Sequence, residues 1–148
     1  MSLYNRILVP LDGTATDDAV LAHVGELAAA NNADVVLLRV AHYHTRDSRT
    51  HEVEDCRADL ERSAAQLRGR GFEVSTVLGD GEPADVIVAQ AADLGADLIA
   101  MATHGHNWLS RFVFGSVAEA VRHRSAVPLL LLKGGPAEGG AGRHAAGV

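Results

Sequence analysis

Gly115 and Ser116 are the residues best suited to chemistry, because they stand where a helix is predicted to begin. The first N–H groups of a helix lack partners within the helix and carry partial positive charge, so they can bind a phosphate. Gly115 lets a ligand approach the backbone closely, and the Ser116 hydroxyl adds a hydrogen-bond donor. The segment from Gly115 through Val117 therefore predicts a phosphate site.

A second interpretation of the same residues needs no ligand. Ser116 and Glu119 have the S-x-x-E spacing of a capping box, whose side chains satisfy the N–H groups at a helix start. Asp12 and Gly13 likewise form a common turn after a strand. The sequence contains no G-x-x-x-x-G-K-[ST], and no G-x-G-x-x-G follows a strand, which disfavours the best-known kinases and dehydrogenases. These residues alone leave both interpretations open.

The eight histidines raise the question of a metal site. His42 and His44 with His51, or His104 with His106, could supply imidazole ligands, but their spacing is not diagnostic and their polar loops favour solvated side chains. No nucleophile lies beside a general base, so a hydrolytic triad has no support. We therefore predict no catalytic residue and no metal held by the protein itself.

The hydropathy pattern alternates short apolar runs with longer segments of helical period, which is typical of an α/β fold with an open parallel sheet. The predicted strands are Ile7 to Pro10, Asp34 to Ala41, Phe72 to Leu78, Leu98 to Ala102 and Val127 to Lys133. The predicted helices are Thr16 to Ala30, a segment with a buried stripe from Val53 to Leu67, Pro83 to Leu94 and Ser116 to His123, with loops at His42 to Thr50 and Gly79 to Pro83.

The loops after the first and fourth strands are the predicted place for a ligand. In an open parallel sheet, ligands bind beyond the carboxyl ends of the strands, where the chain reverses its direction of winding. The first of these loops holds Asp12, and the second holds Gly105 and leads to Gly115 and Ser116. Asp12 is therefore expected to lie close to the predicted phosphate site.

These residues together form a longer pattern. The segment RILVPLDGT begins at Arg6, and Ala102-Thr103-His104-Gly105 is followed by nine residues and then Gly115-Ser116. From Tyr4 to about Lys133 the chain resembles the universal stress protein family, whose nucleotide-binding branch carries G-x2-G-x9-G-[ST] and an Asp after the first strand. Ala102 replaces the first glycine of that pattern, and its methyl group is expected near the ribose or α-phosphate.

The resemblance implies a Rossmann-like, adenine nucleotide alpha hydrolase-like sheet of five strands in the order 3-2-1-4-5, with helices on both faces. It implies that ATP, or AMP or ADP, binds with Asp12 beside the adenosine and the Val40 backbone at the adenine edge. A Mg²⁺ ion would be held mainly by the phosphates. The implied contact residues are Pro10, Leu11, Asp12, Val40, Met101, Ala102, His104, Gly105, Gly115, Ser116 and Val117.

The function expected from this resemblance is that of an ATP-binding stress-response protein in which the nucleotide is a regulatory ligand. Slow ATP hydrolysis and a dimeric stress protein that works without nucleotide are the alternatives.

Composition limits the partners and the setting. The net charge is −6, from 19 acidic and 13 basic residues, and no Lys/Arg run is long enough to follow a nucleic-acid backbone. Cys56 is the only cysteine, so no disulfide forms within the chain, and a reducing, cytoplasmic setting is expected. No apolar run approaches the length of a membrane-spanning helix. We expect one domain over residues 1–133 and a flexible Gly/Ala-rich tail over residues 134–148.

The last predicted strand, Val127 to Lys133, is apolar on both faces although it should lie at a sheet edge. An exposed edge of this kind invites pairing, and a two-fold partner could cover it with the same strand. The resembled family commonly dimerises in this way, so a homodimer is expected. The alternative is that helices cover both faces and Lys133 alone protects the edge.

Overall fold

The computed structural model describes residues 2–41, 46–103 and 116–133. The strands are β1 (Arg6–Leu11), β2 (Asp34–Ala41), β3 (Val74–Asp80), β4 (Leu98–Ala102) and β5 (Leu129–Leu132). The helices are α1 (Thr16–Asn31), α2 (Arg46–Arg68), α3 (Pro83–Leu94) and α4 (Ser116–Arg124).

The five strands form one parallel sheet in the order β3-β2-β1-β4-β5, which confirms the predicted α/β architecture and strand order. Because β1 lies in the middle, the chain first winds outward through β2 and β3 and then returns to the other side of β1 at β4. The winding direction therefore reverses between β1 and β4, as expected from the order of elements.

Two apolar layers cover the two faces of the sheet. Alternate strand residues such as Ile7 and Val9 pack with α1 and α2, while Leu8 and Ile99 on the other face pack with α3 and α4. The period of two along each strand produces this division. Cys56 of α2 is fully buried, as the helical stripe predicts, and burial raises the pKa of its thiol.

Several predicted boundaries are wrong, and three of them differ most clearly. Helix α2 begins at Arg46, inside the segment predicted as a loop, because the polar residues at its start have no apolar period to reveal a helix. Strand β5 is confined to Leu129–Leu132, shorter than the predicted Val127 to Lys133. Strand β3 continues to Asp80 and so includes residues predicted as a turn.

Gly79 explains why β3 extends so far. It pairs with Val40 of β2, and a Cβ placed on it would lie 2.5 Å from Cγ1 of Val86 in α3. Glycine is needed at this position because α3 approaches the strand closely, whereas the sequence alone suggested a turn.

In the segments that the structure describes, no helix is both long and apolar enough to cross a membrane.

Candidate functional site

A cavity of about 260 Å³ opens at the carboxyl ends of β1 and β4, where the winding direction reverses. Its walls are mostly apolar, and the polar exceptions are Asp12, Asp17, Thr103 and Ser116. Small-molecule sites have this character, with a few polar groups on an apolar surface. The described lining consists of Pro10, Leu11, Asp12, Asp17, Leu38, Val40, Pro83, Ile87, Met101, Ala102, Thr103, Ser116, Val117 and Ala118.

The contact residues predicted from the sequence converge on this cavity. Those within the described part of the chain all line it, namely Pro10, Leu11, Asp12, Val40, Met101, Ala102, Ser116 and Val117. His104, Gly105 and Gly115 lie outside the described residues. The fold therefore brings together segments that are about 100 residues apart in the sequence, because the carboxyl ends of neighbouring parallel strands meet at one edge.

The turn between β1 and α1 forms one wall and is held by its own side chains. Oδ1 of Asp12 accepts hydrogen bonds from the Thr14 backbone nitrogen at 2.9 Å and from Thr14 Oγ1 at 2.6 Å. Thr14 Oγ1 lies 2.7 Å from Oγ1 of the buried Thr16. The common-turn interpretation of Asp12 is thus correct locally, and the same residue also lines the cavity.

Asp17 is a cavity residue that the sequence did not single out as one. Its Oδ1 accepts the Asp12 backbone N–H at 3.1 Å, and its Oδ2 accepts the Gly13 backbone N–H at 2.8 Å. The pKa of Asp17 is raised to about 7, mainly by burial and also by the neighbouring Asp12 carboxylate, while the hydrogen bonds from the Asp12 and Gly13 backbone N–H groups lower it. The cavity wall therefore carries a carboxyl group that gains or loses its proton near neutral pH.

The Arg39 side chain packs against Gly13 in the same turn. It is 11% exposed, and its Nη1 lies 2.5 Å from Oδ2 of Asp59 in α2. Gly13 adopts a φ of +80°, and a Cβ placed on it would lie 2.6 Å from Nη1 of Arg39. The backbone conformation therefore favours glycine at position 13, and any side chain there would also displace the Arg39 guanidinium.

Apolar side chains from β2, α3 and β4 form the opposite wall. Leu38, Val40, Ile87 and Met101 belong to the cluster that packs against α3 and α4. Strand β1 ends opposite Arg39, so in the register no β1 residue lies beside Val40. Val40 therefore lines the cavity at a position where one neighbouring strand has already ended.

The beginning of α4 closes the cavity with Ser116 and Val117. Ser116 is the first residue of α4, whereas the serine of a capping box stands just before the helix. Oε2 of Glu119 instead accepts a hydrogen bond from Nη2 of Arg122 at 2.7 Å, which lowers the pKa of Glu119. The capping-box interpretation is therefore not supported by the described residues.

Ala102, which replaces a glycine of the family pattern, lines the cavity but packs with the cluster under α1 and α2. Its neighbour Met101 packs with the cluster on the other face. Because strand side chains alternate, the Ala102 methyl group lies on the α1 and α2 face, away from the apolar wall formed by Val40 and Met101.

Several lining residues were not predicted as ligand contacts. Alternation along β2 could have added Leu38, because Val40 is two residues away on the same face. Pro83 and Ile87 carry no local signal, since only the packing of α3 brings them to the cavity. Asp17 was not singled out either, because its place in the cavity wall depends on how α1 meets the turn after β1.

Among the described residues, no group of three or more His, Cys, Asp or Glu side chains is arranged to hold a metal ion. His51 is exposed on α2, and His42, His44, His104 and His106 lie outside the described residues.

Comparison with known proteins places this architecture in a family. Residues 3–133 match the sequence model of the universal stress protein family. The universal stress protein MJ0577 of Methanocaldococcus jannaschii is 27% identical over 157 aligned residues, which cover 88% of this chain and 96% of that protein. A solved structure of MJ0577 superposes with a TM-score of 0.79 and 30% identity, again over 88% of this chain and 96% of that one.

Two further solved structures contain adenine nucleotides. A universal stress protein in complex with cAMP matches with a TM-score of 0.74 and 23% identity, over 90% of this chain and all of that one (100%). A universal stress protein from Archaeoglobus fulgidus in complex with dAMP matches with a TM-score of 0.68 and 24% identity, over 88% of this chain and 99% of that chain. At these identities the likeness shows the shared fold. With the family match over nearly the whole folded region, the chain belongs to the universal stress protein family.

Proposed function

We propose that this protein binds an adenine nucleotide in the cavity between β1 and β4, and that ATP, or AMP or ADP, is its regulatory ligand. The observation that carries the proposal is the position of the cavity at the switch point, where its lining includes Asp12, Val40, Ser116 and the other described residues that the family resemblance implies. Proteins of the same fold in complex with cAMP and dAMP support the choice of an adenine nucleotide.

The chemistry of the walls suggests how the ligand is oriented. The apolar surface of Val40, Ile87 and Met101 suits the faces of an adenine ring, and the backbone at Val40 suits its polar edge. The first N–H groups of a helix have no partner within the helix, so those at the start of α4 favour the phosphates. We therefore propose that adenine lies against β2 and α3, with the phosphates towards Ser116 and Val117.

A Mg²⁺ ion fits this arrangement only if the phosphates supply most of its ligands. Asp12 and Asp17 are the carboxylates of the described lining, and both already accept hydrogen bonds within the turn after β1. Mg²⁺ prefers six oxygen ligands in octahedral geometry and commonly takes them from phosphates and water. We propose that Mg²⁺ enters with the nucleotide and is not held by the protein alone.

Calorimetric titration with ATP and with AMP, each with and without Mg²⁺, tests the proposal. We expect saturable binding, with Mg²⁺ strengthening ATP binding more than AMP binding. The variant Gly115→Val is expected to block the phosphates and abolish ATP binding while the protein remains folded. Absence of both heat and thermal stabilisation with either ligand would show that the proposed function is wrong.

We also propose a homodimer formed through the last strand. Strand β5 is at the sheet edge beside β4, and its four leucines are only partly buried in the single chain. Pairing with the same strand of a second copy would satisfy the open edge and cover these leucines.

A further inference from the structure

Arg39 of β2 is a largely buried charged residue close to the cavity. It lies between Leu38 and Val40, which belong to the cluster packed against α3 and α4, so alternation directs the Arg39 side chain to the opposite face of the sheet. Its Nη1 donates to Oδ2 of Asp59 in α2 at 2.5 Å, as expected for an arginine that is rarely buried without a partner. Neither Arg39 nor Asp59 is among the described residues that line the cavity.

The turn that Arg39 contacts carries Asp12 into the cavity wall. Strand β1 ends at Leu11, whose partner in the register is Arg39, and Asp12 and Gly13 follow directly. A Cβ placed on Gly13 would lie 2.6 Å from Nη1 of Arg39 and 3.1 Å from its Cζ. The guanidinium therefore lies directly against the backbone of the residue that follows Asp12.

The other described side chains that hold this turn are close to it in the sequence. Thr14 donates to Asp12, and Asp17 of α1 accepts the Asp12 backbone N–H. These hydrogen bonds fix the shape of the turn and its connection to α1. Arg39 adds a side-chain contact from β2 and, through Asp59, from α2. Its contact therefore fixes the turn relative to the elements on the far side of β1.

We propose that Arg39 is a positioning residue of the nucleotide site, because its guanidinium, held by Asp59, fixes the turn that presents Asp12 to the ligand. This inference rests on the proposed function of the cavity and adds to it a residue that the ligand does not touch. A loop that is already ordered in its bound conformation loses less conformational entropy when the ligand binds. Loss of the Arg39 contact therefore weakens binding of any ligand that contacts this turn, with or without a phosphate.

Calorimetric titration of variants with AMP and with adenosine tests the proposal. Arg39→Met removes the guanidinium but keeps a long, adaptable side chain, so the fold should be retained. We expect it to weaken binding about 3- to 10-fold, by similar factors for the two ligands. Asp59→Ala should weaken binding of both ligands at least about 2-fold, because the guanidinium loses its partner. If thermal unfolding shows that Arg39→Met is not folded, the Asp59→Ala titration decides in its place.

Arg62→Met is the matched control. Arg62 of α2 also donates to Asp59, but its side chain is 71% exposed. Exposed ion pairs contribute little, so this variant should bind both ligands within about 1.5-fold of the wild type.

A double-mutant cycle with Gly13→Ala supplies a readout that a general loss of stability would not change. With Arg39 present, the new methyl group displaces the guanidinium, whereas Arg39→Met leaves no Nη1 to be displaced. The affinity loss caused by Gly13→Ala should therefore be at least about 3-fold smaller in the Arg39→Met background, as for two residues in contact.

Three results would overturn the positioning role. They are wild-type affinity of Arg39→Met, equal effects of Gly13→Ala in the two backgrounds, and a loss of affinity for AMP without a loss for adenosine. The last result would mean that the Arg39 charge acts on the phosphate from a distance. If the wild type bound neither ligand, the proposed function itself would fail, and the positioning role with it. The wild-type titration therefore distinguishes the two failures.

Discussion

Oδ2 of Asp17 lies 2.8 Å from the backbone nitrogen of Gly13 and accepts its N–H. This hydrogen bond connects the first turn of α1 to the loop after β1, so the Asp17 carboxyl group stabilises one wall of the cavity. Burial and the Asp12 carboxylate favour the protonated form of the Asp17 carboxyl group, while its hydrogen bonds from the backbone N–H groups favour the charged form. Its protonation is therefore coupled to folding and to the geometry of the cavity.

Asp17→Asn is predicted to change how stability depends on pH. The pKa of Asp17 is about 7 in the folded protein against an ordinary value of 3.8, so the folded state binds this proton more tightly than the unfolded state does. The resulting stabilisation is fully present below about pH 4 and is lost as the pH rises through about 7. We therefore expect the variant to gain stability relative to the wild type between about pH 4 and pH 8.

Urea unfolding over this pH range measures the difference between the two proteins, in which the effects of the other titrating groups cancel. Asp18→Asn, an exposed neighbour on α1, controls for the change in net charge. A difference between Asp17→Asn and the wild type that does not vary with pH would contradict the assignment.

Gly13→Ala is predicted to destabilise the protein by about 1–3 kcal/mol, because the residue adopts a left-handed conformation. Its new Cβ would also lie 2.6 Å from Nη1 of Arg39, which is paired with Asp59 and has little room to move. Gly69→Ala is the matched control, since the nearest atom to its Cβ would be 3.7 Å away. Equal unfolding free energies for the two variants would refute this role for Gly13.

Val40→Phe is predicted to fill part of the cavity and weaken adenine nucleotide binding about 10-fold or more. The matched control is Val77→Phe, because Val77 is also partly buried against the same cluster but does not line the cavity. Overpacking should lower the stability of both variants by about 1–3 kcal/mol, whereas only Val40→Phe should lose affinity in calorimetry. Similar affinities for the two variants would place the adenine elsewhere.

The proposed dimer predicts that light scattering gives twice the 15.5 kDa mass of one chain. The edge position and the partly buried leucines of β5 are its physical basis. A mass of one chain at micromolar concentration would remove this proposal and leave β5 as an edge protected within the single chain.

Local patterns were sufficient to predict the alternation of strands and helices, because apolar runs such as that of β2 are long, whereas the strand order came from the family resemblance. They were insufficient where neighbouring elements decide the structure. Gly79 looks like a turn residue but lies in a strand because β2 continues beside it and Val86 packs over it. The polar start of α2 carries no apolar period, so its first turns were predicted as a loop.

The cavity residues likewise divide into those that the local sequence predicts and those that it does not. Asp12, Val40 and Ser116 belong to segments with recognisable patterns, and the fold brings them together. Asp17 and Thr103 also line the cavity but were not predicted to do so, because burial and hydrogen bonding in the folded chain place them there and the local sequence does not show either property.

The most direct test of the proposed nucleotide site is a two-dimensional NMR titration of the isotopically labelled wild-type protein with ATP and Mg²⁺. We predict saturable shifts of the backbone amide signals of Asp12, Val40, Thr103 and Val117, which line the cavity from four separate segments. A second, smaller cavity lies at the amino ends of the strands and is lined in part by Arg6, Asp34 and Glu73. Shifts confined to that cavity, or no shifts at all, would contradict the account.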